Sequence, residues 1–171
     1  MVEHPLHKEI GKRIFKSFGD NVLMDSACGG GHRLPLFCKE PKSRETQFCN
    51  VDMLILKDKK VKVIVEIDES DIKPTQVCGK FLTSALSQFY IYDSERYPID
   101  DSVMFIQILD SSKLKESKTR KLEQFKYLEK AINEILPLRN DNQITYCIFA
   151  MSQNDFEEHM KKIIDTIDGF S

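Results

Sequence analysis

The spacing of apolar and polar residues changes several times along this chain, and each change marks an element. Leu6, Ile10, Ile14 and Phe18 recur every four residues. That spacing lines one face of an α-helix and predicts one from about Glu3 to Phe18, stopping at Gly19. A short strand, Asn21 to Met24, follows. The next stretch, CGGGHRLPLFCKEPKSRETQFC, holds three glycines and two prolines, so continuous regular structure is not expected there. VDMLIL and VKVIVEI are β-rich runs separated by KDKK, the pattern of a hairpin. Pro74 then opens a helix expected to reach about Tyr92, with Val77, Cys78, Phe81, Leu82, Ala85 and Phe89 on its apolar face. VMFIQIL, Val103 to Leu109, reads as a central strand covered on both faces. Lys118 to Leu136 is an amphipathic helix ended by Pro137, and Ile144 to Ala150 is a second buried strand. Ser152 or Asn154 is placed to cap a last helix carrying Phe156, Met160, Ile163, Ile164 and Ile167. The order α-β-β-β-α-β-α-β-α predicts one α/β domain, a mixed sheet flanked by helices.

At 171 residues the chain has the length of one domain. Its 41% hydrophobic and 30% charged residues are ordinary for a soluble globular protein. No apolar run approaches the roughly 18 residues that span a bilayer. The polar N-terminus MVEHPLHKEIGKR lacks the apolar core of a signal peptide. Five cysteines without a CxxC pair fit a reducing compartment, so a cytoplasmic location away from membranes is expected. With a net charge of -2, any face that binds a polyanion must be a local one.

The chemistry concentrates in carboxylates. Asp52 lies in the apolar run VDMLIL. Glu66 and Asp68 stand two apart at the end of the second hairpin strand and therefore share a face. Charge inside apolar text is costly unless paired or metal-bound. Hairpin pairing brings Asp52 beside Glu66, and a hard cation such as Mg²⁺ relieves the mutual repulsion of these acids. Glu69 and Asp71, further along, read as a solvated turn. The histidines His4, His7, His32 and His159 stand outside the cluster in the sequence, which argues against a His-rich small-molecule metallohydrolase.

A first helix, a hairpin with Asp52 on one strand and Glu66-Ile67-Asp68 on the other, then a helix and a strand, resembles the PD-(D/E)xK nuclease superfamily, the restriction-endonuclease-like fold. The resemblance covers Glu3 to Leu109. It implies a Mg²⁺-dependent nuclease hydrolysing phosphodiesters of DNA, with Mn²⁺ as an alternative ion, and a homodimer if both strands are cut. By position it implies Asp52, Glu66 and the Ile67 carbonyl as metal ligands, and Glu9 as an acid contributed by the first helix. The family usually has lysine where this chain has Asp68. Lys80 is the natural substitute, and Lys73 a second candidate. Otherwise Asp68 holds a second ion, or the chain is a catalytically inactive module binding nucleic acid or a protein.

The loop from His32 to Arg44 holds five basic residues against Glu40 and leads into the Asp52 strand. Lys42, Ser43, Arg44 and Thr46 read as phosphate contacts, with a plain surface loop as the alternative. Gln76 shares a helix face with Lys80 and, with Lys73, is a candidate substrate contact. The spacing of Cys28, His32, Cys38 and Cys49 matches no compact zinc knuckle. Glycines 29 to 31 lack the Lys-Ser/Thr of a phosphate-binding loop.

Overall fold

In the computed structural model, which describes residues 5–70, 72–114, 118–138 and 142–170, the elements run α1 (Pro5–Phe18), β1 (Val22–Met24), β2 (Pro35–Phe37), β3 (Gln47–Asn50), β4 (Met53–Lys57), β5 (Lys60–Asp68), α2 (Pro74–Leu86), β6 (Phe89–Tyr92), β7 (Glu95–Asp110), α3 (Lys118–Ile135), β8 (Gln143–Met151) and α4 (Phe156–Phe170). The eight strands form one open, mostly antiparallel sheet ordered β1-β4-β5-β7-β6-β2-β3, with β8 also pairing with β7. The β4–β5 hairpin is the pair legible in the sequence. Asp58 and Lys59 turn it at positive φ (51° and 59°), as a tight two-residue turn requires.

Strand β7 organises the rest. Its first residues, 95–98, pair antiparallel with β6, and residues 102–110 run parallel between β5 and β8. Alternation along β5 then sorts side chains to the two faces. Val63, Val65 and Ile67 pack with Met104, Ile106 and Ile108 under α1 and α4, through Leu6, Ile10, Ile14, Met160, Ile163 and Ile167. Ile64 and Phe105 lie on the other face with Phe81 of α2, Ile132 of α3 and Tyr146. Each layer removes large apolar side chains from water, worth roughly 1.5–3 kcal/mol apiece before entropy is set against it.

Three strands are additions to the sequence expectation, and a fourth, β8, differs from it in burial. β2 and β3 lie in the Gly/Pro-containing stretch and are only three and four residues long; they exist by pairing with each other, and β2 also pairs with β6. β6 was expected to be the end of the second helix, because Phe89 continues the four-residue spacing of Val77, Phe81 and Ala85. The helix ends instead at Leu86, where Ser87 turns extended (φ −71°, ψ 155°) and its hydroxyl donates to the Thr83 carbonyl. Aromatic and β-branched residues 89–92 then pair into a hairpin with β7. β8, expected to be buried, is half-exposed, because it lies on one side of β7 and pairs with no other strand among the described residues. Asp155, rather than Ser152 or Asn154, directly precedes α4 and accepts from the Ser152 N–H. Glu3 and His4 fall outside the described residues.

Helix α1 rests on the loop after β1 with no spacer. A Cβ on Gly11 would lie 2.3 Å from the Cys28 carbonyl oxygen, so the residue must be glycine for the helix to approach this closely. Gly169, in the last turn of α4, faces open space. Gly11→Ala is expected to destabilise the fold by about 1–3 kcal/mol through overpacking. Gly169→Ala should stabilise it by about 0.4–1 kcal/mol by restricting the unfolded chain. Urea midpoints of the two variants, moving in opposite directions, check both.

Candidate active site

The parallel β5–β7 ladder ends at Asp68, paired with Leu109, which sets the last residues of β5 at the carboxyl edge of that ladder. Glu66 and Asp68 point to the same side, toward α2, and are 2% and 8% exposed. Lys80 meets them there. Its Nζ lies 2.8 Å from Asp68 Oδ1 and 3.1 Å from Glu66 Oε2. Pro74 fixes where α2 starts, and Lys80 sits between the buried Val77 and Phe81, so their packing holds its stem against the sheet.

Asp52 stands one residue before β4, outside the strand expected to contain it. Its Oδ2 accepts the Ile67 N–H at 2.7 Å, so a side chain takes up a donor at the end of the ladder. Asp68 is held from a second direction. Gln107, fully buried in β7, donates from Nε2 to Asp68 Oδ2 at 2.9 Å and accepts the Tyr146 hydroxyl at 2.9 Å. Neither Gln107 nor Tyr146 was singled out from the sequence. The signal was present: Gln107 is the one polar residue in VMFIQIL, and a buried amide needs partners for its donor and its acceptor.

Three sequence expectations are corrected around α1. His7 enters the cluster that the sequence placed it outside: its ring is buried, with Nδ1 2.5 Å from Glu69 Oε2 and Nε2 3.7 Å from Asp52 Oδ2. Glu69 is no solvated turn; its side chain is 9% exposed, and Oε1 also accepts the Leu6 N–H at 2.8 Å, satisfying a donor in the first turn of α1. Glu9 is exposed on α1, because two residues on from His7 the helix has turned by about 200°. The acid-binding residue that α1 contributes is thus His7. Asp71 lies outside the described residues. Asp25, also unanticipated, ties the loop after β1 to the centre: its N–H donates to the Asp52 carbonyl at 3.0 Å and its Oδ1 accepts the Cys28 N–H.

The charges are unevenly matched. Burial, then the neighbouring Asp52, pushes the Glu66 carboxyl well above its ordinary value, with Lys80 only partly opposing. Burial also raises Asp52, against the Ile67 N–H, His7 and Lys80. For Lys80, burial alone would favour the neutral amine, but Glu66 and Asp68 outweigh it and hold the ammonium charged. Burial is the largest cause in both carboxyls, and Lys80 offsets it only in part.

The same carboxylates set the test for a divalent ion. Among the described residues no three His, Cys, Asp or Glu side chains surround a common point. The Asp52 and Glu66 carboxylates and the Ile67 carbonyl are donors of the type Mg²⁺ accepts when water and phosphate complete its shell. In each carboxylate one oxygen is engaged, Asp52 Oδ2 by Ile67 and Glu66 Oε2 by Lys80. In type, oxygen donors such as these suit a hard cation.

The candidate substrate contacts are only partly brought together. Gln76 lies in a cleft of about 510 Å³ with Asp68, Ser70, Gly79, Lys80 and Thr83. Lys73 is exposed immediately before α2. Ser43 and Thr46 hold their own turn: the Thr46 hydroxyl is buried, accepts the Ser43 N–H and donates to the Pro41 carbonyl, which leaves it no proton for a phosphate. Lys42 donates to the Asp93 carbonyl at the β6–β7 turn, while Arg44 is exposed. A second cleft, of about 480 Å³, lies on the Asp52 side, with Asp25, His32, Arg33, Gln47 and Asn50 in its wall. All five cysteines are free thiols, and no described helix is long and apolar enough to cross a membrane. No family model, curated protein or solved structure matches this chain.

The raised Glu66 carboxyl makes a stability prediction. Above the ordinary glutamate value of 4.5 the unfolded chain releases this proton first, so folded stability falls as pH rises from there toward the raised native value. Glu66→Gln keeps the shape and removes the charge. In metal-free buffer it should melt at the same temperature as wild type near pH 4 and higher near pH 7, by about 1 kcal/mol in stability. Thermal melts across that range check the sign.

Proposed function

We propose that this chain is a metal-dependent phosphodiesterase acting on nucleic acid, DNA in the first instance. Asp52, Glu66 and the Ile67 carbonyl would hold Mg²⁺, or Mn²⁺ in its place. The observation that carries the reading is Lys80, which reaches both Glu66 and Asp68 from α2. An ammonium is thereby supplied beside the carboxylates although residue 68 is itself an acid. The order of helix, Asp52-bearing hairpin, helix and strand supports a restriction-endonuclease-like arrangement, with β2, β3 and β6 as additions.

When bound, the ion supplies positive charge for the phosphate and makes a nearby water more acidic. The remaining work falls to the chain. Lys80, held charged, is a hydrogen-bond donor and electrostatic stabiliser for negative charge developing on the phosphate, and not a base. Asp68, fixed by Gln107 and Lys80, orients that ammonium. His7, fixed by Glu69, orients Asp52 and adds an imidazole nitrogen to the edge of the donor set.

One observation favours a second reading, a module without catalysis: Lys80 already neutralises part of the charge that an ion would balance. The two readings separate in a cleavage assay on linear, circular and single-stranded DNA and on RNA. Mg²⁺-dependent cutting is expected, lost by 10³-fold or more in Glu66→Ala and by about 10²–10³-fold in Lys80→Ala, the scale of losing one preorganised stabiliser. Mg²⁺ should also raise the wild-type melting temperature more at pH 8 than at pH 5, because protons compete for the raised carboxylates. No cutting of any substrate and no shift with metal would establish the non-catalytic module.

A further inference from the structure

We infer that the 480 Å³ cleft on the Asp52 side is a subsite for an unpaired nucleobase, which makes single-stranded nucleic acid the substrate form. The inference rests on the phosphodiesterase reading for its setting, though the cleft has its own chemistry. Its wall is continuous with the centre: Val51 lines it and precedes Asp52, and Asp25 lines it and donates its N–H to the Asp52 carbonyl. On the phosphodiesterase reading, a nucleotide whose base enters here would direct its phosphate toward the Asp52 end of the centre.

The lining suits a base rather than a phosphate. Asp25 places a carboxylate inside the cleft, which repels an anion and accepts from ring or amino N–H groups. Gln47 and Asn50 bring two side-chain amides, joined through Gln47 Nε2 and Asn50 Oδ1 at 3.2 Å, and amides offer the paired donor and acceptor that base edges present. Arg33 borders the same space, and its guanidinium makes no hydrogen bond or ion pair among the described residues. That leaves it able to meet the backbone of an incoming strand.

Aromatic rings continue the cleft outward. His32 in its wall meets Tyr92 edge-on at 5.9 Å, Tyr92 stacks on Tyr90, and Tyr90 stacks on Tyr97. Tyr90 is buried, whereas Tyr92, between His32 and Tyr90, is 43% exposed and brings the row to the surface beside the cleft. Such a platform takes a neighbouring base by stacking, with little demand on its identity. A base inside a duplex has its ring faces covered and its pairing edge occupied, so neither Tyr92 nor the amides can engage it.

The test is equilibrium binding in EDTA, where metal-dependent cutting is silent. Fluorescence anisotropy would follow a labelled single-stranded DNA 12-mer and its duplex with wild type, Asn50→Ala and Tyr92→Ala. Both side chains are exposed, and circular dichroism checks the fold of each variant. Each substitution should weaken single-strand binding about tenfold, or 1.4 kcal/mol, and leave duplex binding unchanged. Unchanged single-strand affinity in both variants, or equal losses on duplex, overturns the subsite. The two proposals fail separately. Metal-dependent cleavage that Glu66→Ala abolishes, with binding indifferent to Asn50 and Tyr92, removes the cleft and keeps the enzyme. Single-strand binding lost in both variants, with no cleavage under any metal, keeps the cleft and removes the phosphodiesterase.

Discussion

Two carboxylates, Glu66 and Asp68, sit nearly out of water at the end of the strand on which both hydrophobic layers are built. An unpaired charge in that position would cost several kcal/mol. The elements around it are arranged to avoid that. Helix α2 brings Lys80, β7 brings Gln107, which β8 fixes through Tyr146, and Asp52 covers the Ile67 N–H. One strand end thus couples the registers of a helix and four strands, because each partner must arrive within hydrogen-bond distance at once.

The same constraint extends to the opposite face through α1. Glu69 engages both the first turn of that helix and His7, and His7 returns to Asp52. Gly11 lets the helix approach the Cys28 loop closely enough for this contact. The cluster therefore lies where the two sides of the sheet meet at its edge, between the layers, with clefts beside Asp68 and beside Asp25.

Electrostatically the centre is unfinished. Lys80 and His7 do not bring Glu66 and Asp52 back to the ordinary range of a carboxylate, because burial, the largest cause in each, outweighs them. Buried carboxylates with perturbed protonation beside a cleft are what the proposed phosphodiesterase would use, and Lys80, reaching both Glu66 and Asp68, is the contact on which that proposal rests.

The carboxylate pair and its hairpin were legible in the sequence, because a period of two puts Glu66 and Asp68 on one face and the polar KDKK separates two β-rich runs. Lys80 was legible as well, since helical spacing sets it apart from the apolar stripe. Glu69 and His7 were misread as lying outside the cluster, and Glu9 was chosen in place of His7, because nothing local tells which of two polar positions on a helix will face an acid sixty residues away. β2, β3 and β6 were missed for a related reason. Their residues have weak or contradictory local preferences, and only pairing with one another and with β7 makes them strands. The sequence by itself determined the elements whose apolar periodicity is strong and the acids those elements must carry. Tertiary structure decided which distant groups satisfy those acids, because a hydrogen bond across long stretches of chain depends on the packing of everything between.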